Sequence, residues 1–273
     1  MNEYPGGVSQ NYPEYARRIR EYASLAEVNE YAHVLEGGRD YPLFRLTVPG
    51  ERWLVITSGF HGEEPAGPLT LRDHFADIVA YARERRVGLR VYPCINPSGF
   101  EDGTRYNRGG EKPNNDFMRY EMTPGVWKGE FTGDPPFVRW VLYDGGPRET
   151  RAVRSDLVRY PAPAAALDIH QDNYLPGSGT YAYTFGDKSA YRPLMTAAAA
   201  HARVLREDKV DEVNRTDADG LIEYHDGSVT DYFMRSGVPY TAALETTTRT
   251  PLEASHAVNL IWIRGFIDLA ARG

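Results

Sequence analysis

The sequence predicts a single-domain α/β fold over residues 1–273, built on a mixed, mostly parallel twisted sheet with helices on both faces. Three observations carry that expectation. Strand-like and helix-like patterns alternate along the chain without a repeat, a low-complexity tract or a linker. The run Trp53 to Thr57 (WLVIT) is apolar on both faces, as suits a central strand covered on each side. A helical pattern then separates it from a second apolar run, LRVYPCIN, and this β-α-β order is the unit of a parallel sheet.

Taken in order, ARRIREYASLAEV after Glu14-Tyr15 repeats Ile19, Tyr22, Leu25 and Val28 at helical spacing and predicts a first amphipathic helix. Two strands follow at YAHVLEGG and YPLFRLTVP, then WLVIT. Past Pro65, Leu69, Phe75, Ile78, Val79 and Ala82 mark a long helix leading to LRVYPCIN. From Pro97 to about Pro163 the chain is rich in Gly, Pro, Asn and aromatics with little periodicity. A stretch of that length inside a compact domain is usually functional, so it is expected to wall a cleft. Strands return at AALDIH and TYAYTF, a helix at YRPLMTAAAAHARVLR, a short helix near GSVTDYFMRSG, a strand at PYTAALE and a closing helix at LEASHAVNLIWIRGFIDLAAR. Ligands of such a sheet bind beyond the carboxyl ends of its strands.

Composition narrows the function. The chain has 41% hydrophobic and 25% charged residues and a formal net charge of −7 from 31 basic and 38 acidic residues, with no basic block to follow a phosphate backbone. Nucleic acid is therefore not expected as a partner. No apolar stretch approaches the length of a membrane span, and MNEYPGGVSQNYPEY lacks the pattern of a secretory signal. Cys94 stands alone and reads as a small buried hydrophobe, so no membrane and a cytoplasmic location are expected. No Gly-x-Ser-x-Gly elbow, phosphate loop or paired-cysteine motif occurs.

Chemistry-bearing residues gather at the predicted strand ends: His61 and Glu64 after WLVIT, His170 after AALDI, and Glu245 after YTAAL. Two imidazoles and a carboxylate from separate strands can hold zinc with a position open for water, leaving one glutamate free as a general base. In His61-Gly62-Glu63-Glu64-Pro65 the residues three apart face the same way once a helix begins, Gly62 permits close backbone approach and Pro65 suits a first helical turn, so Glu63 points elsewhere.

HGEE, then INPSGFEDGTRYNRGG with NNDF, then LDIH, then EYHDGSVTDY ahead of ALE, resembles in order the signature of the zinc metallocarboxypeptidases of the funnelin, or carboxypeptidase A-like, group. The resemblance covers roughly Trp53 to Glu245 and implies the zinc-carboxypeptidase fold, one zinc ion and hydrolysis of an amide bond near the C-terminal end of a peptide or peptide-like substrate. It implies His61, Glu64 and His170 as zinc ligands, Glu245 as general base and proton shuttle, Arg108 as the arginine on the oxyanion, and Tyr224 as the tyrosine that closes over the substrate.

Departures bear on the substrate. Where the family has Asn-Arg for a terminal carboxylate, this chain has Asn114-Asn115, and an amide is no charged fork. Either another arginine, Arg105 or Arg119, takes over, or the substrate is not a simple peptide terminus. Lys112 stands where the family has an aspartate behind the first zinc histidine, leaving the partner of His61 unassigned; Asp168 could orient a ligand or cap its strand. Val229 falls near the residue lining the specificity pocket, which points to an uncharged substrate side chain unless Val229 is core. Two rival readings stay open: a deacylase of N-acyl amino acids similar to succinylglutamate desuccinylase or aspartoacylase, and a binding protein on a degenerate peptidase scaffold.

Overall fold

The computed structural model describes residues 9–131, 133 and 135–272. In chain order it contains α1 (Tyr12–Arg20), β1 (Glu27–Glu36), β2 (Arg39–Val48), β3 (Arg52–Ser58), α2 (Ala66–Glu84), β4 (Val87–Tyr92), α3 (Pro97–Asp102), β5 (Met118–Thr123), β6 (Val126–Lys128), β7 (Arg139–Leu142) and α4 (Arg148–Leu157). It continues with β8 (Ala165–Asp172), β9 (Thr180–Phe185), α5 (Arg192–Ala198), β10 (Leu221–Ile222), α6 (Val229–Arg235), β11 (Tyr240–Thr247) and α7 (Leu252–Arg272).

Eight strands form one sheet in the order β1-β2-β4-β3-β8-β11-β9-β10. The four central strands run parallel, and the antiparallel pairs β1/β2, β2/β4 and β11/β9 lie outside them. Alternation along each strand sorts the two faces. Leu54 and Ile56 of β3, Leu167 and Ile169 of β8 and Leu244 of β11 belong to a large core with Phe75 of α2 and Trp262 and Phe266 of α7. Val55 and Ala166 instead meet Val153 and Leu157 of α4 and Phe233 of α6 on the opposite face.

Three expectations needed correction. The first helix stops at Arg20, and Val28 belongs to β1, because the two-residue alternation of the following segment lets Glu27–Glu36 pair with β2 as a hairpin. The helix begun at Arg192 ends at Ala198, after which the backbone at Arg203 to Leu205 bonds to Thr180 at the edge of β9. The segment from Pro97 to Pro163 is more ordered than its pattern suggested: β5, β6 and β7 make a three-stranded antiparallel sheet, and α4 buries Glu149, Thr150, Arg154 and Asp156 beside only two large apolar residues. A helix that buries polar groups leaves little apolar periodicity to read.

α2 and α7 bring His74 and His256 together, Nε2 of one 3.3 Å from Nδ1 of the other. Burial, and then the neighbouring imidazole, push His256 down to about 4. A base depressed in the folded state is protonated first in the unfolded chain, so stability falls as pH drops from about 6.5 toward 4. His256→Gln is expected to flatten the melting temperature in that window; a profile as steep as that of the unsubstituted protein would remove this pair from the acid response.

Candidate metal centre

At the end of β3 the chain turns through Gly59, whose φ of +68° is one that glycine adopts without steric cost. Gly62 is required for a different reason: a Cβ there would lie 1.8 Å from the carbonyl carbon of Gly99 in α3, so only glycine lets the two segments touch. The Glu64 amide closes the turn on the His61 carbonyl at 3.3 Å, and α2 begins just after Pro65. His61 Nδ1 consequently lies 2.7 Å from Glu64 Oε1. From β8, His170 places its Nδ1 2.8 Å from Glu64 Oε2. All three side chains are at most 4% exposed, and their ligand atoms lie within 4.8 Å of one another.

The carboxylate and the two imidazoles set one another's charge. Burial pushes His61 down to about 4 although Glu64 opposes it. Glu64 is held well below the carboxylate range: burial raises it, but both imidazoles outweigh that. Burial also lowers His170, yet Asp168 and Glu64 carry it well above the ordinary histidine value. Two imidazole nitrogens and a carboxylate, buried and convergent from two strand ends, fit zinc in number and type.

Asp168 has an orienting position. Its Oδ2 lies 2.7 Å from His170 Nε2, and the Thr57 hydroxyl donates to its Oδ1 at 2.8 Å. The Gln171 amide donates to Glu64 Oε2 at 3.1 Å. His61 Nε2 has no such partner among the described residues, in keeping with Lys112 standing where an aspartate was expected. Outer partners of metal-bound histidines tune affinity, so if the cluster holds zinc, Asp168→Asn is expected to weaken that binding about 10- to 100-fold, read by competition with a chromophoric chelator. Unchanged affinity would leave Asp168 as a strand-end cap.

Glu245 on β11 sits beside His170 on β8 in register. Its Oε2 is buried without a hydrogen-bond partner among the described residues, and burial raises the carboxyl well above its usual value. Both residues line a cleft of about 270 Å³ together with His61, Arg105, Asn114 and Asn115. Tyr224 stands on the same cleft, its hydroxyl donating to Glu130 Oε2 at 3.1 Å.

Two expected residues lie elsewhere. The Arg108 guanidinium is directed away from the cluster, to Asp102 at 2.7 Å and 2.7 Å, to Glu101 at 3.1 Å and to the Tyr41 hydroxyl. In its stead Arg105 Nη1 lies 2.9 Å from Glu64 Oε1 and 3.3 Å from Glu63 Oε1. Arg108 lies inside the turn that Gly110 and Glu111 close on Asn107, whereas Arg105 precedes it. Val229 is fully buried in the core with Phe60, Phe117 and Phe233, and its neighbour Thr230 lines the cleft.

With Val229 in the core, polar side chains line this part of the cleft. Asn115 donates to Asp226 Oδ2 at 2.8 Å, and Asp211, Asn214 and Tyr183 line the same region. Asp226 is pushed up to about 6, chiefly by burial and then by Asp231. Lys112 also faces the cleft, its ammonium pulled down by burial and by Arg105. Arg119 does not line it; it stacks on Tyr143 with its guanidinium carbon 4.4 Å from the ring centre. Asn114, with φ of 110°, turns its amide nitrogen to 3.3 Å from His170 Nε2. In the sequence Lys112 stood out only as the replacement of an aspartate and Asp226 only as part of EYHDGSVTDY; neither position signalled a place on the cleft wall.

No protein-family model matches the chain, and a sequence search of curated proteins finds no match. Solved structures do resemble it. A candidate metallopeptidase from Shewanella amazonensis aligns over 97% of this chain and 95% of its own with a TM-score of 0.73 at 23% identity. A metallo-carboxypeptidase from Burkholderia cenocepacia aligns over 95% of this chain and 68% of its own, TM-score 0.64 at 14% identity. Bovine thrombin-activatable fibrinolysis inhibitor, solved in complex with tick carboxypeptidase inhibitor, covers 97% and 96%, TM-score 0.63 at 16% identity. The fold is thus carboxypeptidase-like, with a His-Glu-His cluster at the carboxyl ends of its central strands. Among the described residues, no helix is long and apolar enough to cross a membrane.

Proposed function

We propose that the chain is a zinc-dependent hydrolase that cleaves an amide bond at or near the C-terminal end of a peptide or peptide-like substrate. The observation that carries this reading is the convergence of His61, Glu64 and His170 with the unpartnered Oε2 of Glu245 beside them on one cleft. His61, Glu64 and His170 would hold the ion. When bound, zinc would supply Lewis acidity toward the carbonyl, an acidified water and positive charge favouring the ionised form of Glu245.

The protein's own groups divide the remaining work. Glu245 takes the proton of the attacking water at its free oxygen and returns it to the leaving amine. Arg105 lines the cleft against Glu64 and is the guanidinium available to meet negative charge developing on the carbonyl oxygen, in the role the family resemblance had placed on Arg108. Asp168 holds the His170 ring in place. Lys112 is the cleft cation available to a terminal carboxylate, as Asn115 is engaged by Asp226. An ammonium is a point charge and not a fork, so the terminus would be held less rigidly than by arginine. Tyr224 reaches the cleft from its rim.

The test is the purified protein assayed for zinc and for amino acids liberated from a peptide panel, alongside acyl release from N-acyl amino acids. Stoichiometric zinc and peptide cleavage abolished by a chelator and restored by zinc are expected. Acyl release alone would favour the deacylase, and neither zinc nor hydrolysis would favour a binding protein.

A further inference from the structure

Away from the cleft, the sheet face beneath α4 carries two arginines of unequal fortune. Arg45 on β2 reaches Asp156 of α4 through Nη1 at 2.6 and 2.8 Å, and Tyr92 donates to the same carboxylate at 2.8 Å. Arg159 adds a second cation 3.8 Å from it. Arg90 on β4 has no share in this carboxylate: it forms no ion pair or side-chain hydrogen bond among the described residues, although it is only 5% exposed and its Nε is buried. Its contacts are two aromatic rings, with the guanidinium carbon 3.8 Å from the centre of Tyr160 and 4.7 Å from that of Trp53.

Stacking compensates a buried guanidinium only in part, because ring faces satisfy none of its five N–H groups. Its buried Nε–H, without an acceptor, is the costly group. Burial lowers Arg90 from its ordinary value, the direction that strain implies. Beside it lies a cavity of about 200 Å³, lined by Arg90, Tyr160 and Ser236 together with apolar Val55, Leu157 and Phe233. None of its lining residues lines the zinc cleft, and α6 separates the two, giving Thr230 to the cleft and Phe233 to the cavity.

We infer that this cavity is a second binding site, for a small organic carboxylate whose oxygens pair with the Arg90 guanidinium and whose apolar body fills the space against Val55, Leu157 and Phe233. The chemistry selects the class. Arg45 and Arg159 take the one nearby carboxylate, Asp156, and leave Arg90 without one, and the planar fork of arginine matches a carboxylate in two parallel hydrogen bonds. The apolar side chains of Val55, Leu157 and Phe233 in the lining favour an organic anion over a small inorganic one, which would shed hydration against them without replacement.

The experiment is titration calorimetry with butyrate and 4-bromobenzoate at constant ionic strength, with chloride and phosphate as comparison anions, on the zinc-loaded protein. Saturable binding of the carboxylates is expected, weakened on the order of tenfold or more in Arg90→Gln and less in Arg90→Lys. Crystals of the unsubstituted protein soaked in 4-bromobenzoate should show the bromine's anomalous signal inside this cavity, which separates the site from the zinc cleft and does not depend on the variants folding. The proposal is overturned if the carboxylates do not bind saturably, if chloride or phosphate binds as well, or if the bromine lies only in the cleft.

Discussion

Replacing Glu245 by glutamine is expected to leave zinc bound at full stoichiometry while lowering turnover by about 10²- to 10⁴-fold, the range for loss of a positioned proton-transfer group. The expectation rests on a division of labour within one cleft. His61, Glu64 and His170 have mutually facing ligand atoms, whereas Glu245 is set beside His170 across the β8/β11 pair and keeps one oxygen unpartnered. Glutamine preserves the shape but cannot accept a proton. Zinc content by elemental analysis and kcat on the best substrate of the panel are the two measurements. Normal turnover would remove Glu245 from the mechanism, and loss of zinc would place it among the ligands.

The second large effect separates two arginines that lie three residues apart. Arg105→Met is expected to lower kcat/KM by about 10²- to 10³-fold, roughly 3 to 4 kcal/mol of transition-state stabilisation, by analogy with the deletion of other oxyanion donors. Arg108→Met should leave kcat/KM within about threefold, since its guanidinium is spent on Asp102, Glu101 and Tyr41. Those pairs are largely at the surface, so its effect on stability should also be small, on the order of 1 kcal/mol. The reverse ranking in kinetics would return the oxyanion role to Arg108 and make Arg105 a support for Glu64.

Much of the ligand cluster was legible because each member follows an apolar strand. WLVIT, AALDI and YTAAL are recognisable as buried parallel strands, and in such sheets the residues at or just past the carboxyl ends share one rim. His61 and Glu64 were separable from Glu63 by the turn geometry that Gly62 permits. The loop between α3 and β5 offered no such rule. Without periodicity, nothing in Thr104-Arg105-Tyr106-Asn107-Arg108 said which arginine faces inward; the carboxylates each one meets, Glu64 for Arg105 and Asp102 for Arg108, decide it. Val229 misled because an apolar residue at the start of a short helix suits a pocket wall and a core equally; packing with Phe60 and Phe117 put it in the core.

By itself, then, the sequence determined the α/β class, the order of its central elements and the residues able to offer nitrogen or oxygen to a metal, because these depend on local patterns of hydrophobicity and backbone preference. Only the tertiary structure decided the direction of side chains in irregular segments, the pairing of Asn115 with Asp226, and the isolation of Arg90 beneath α4. Each of those depends on charges and hydrogen-bonding groups far apart in the chain, which compete for partners only once the sheet and its covering helices have brought them within a few ångströms.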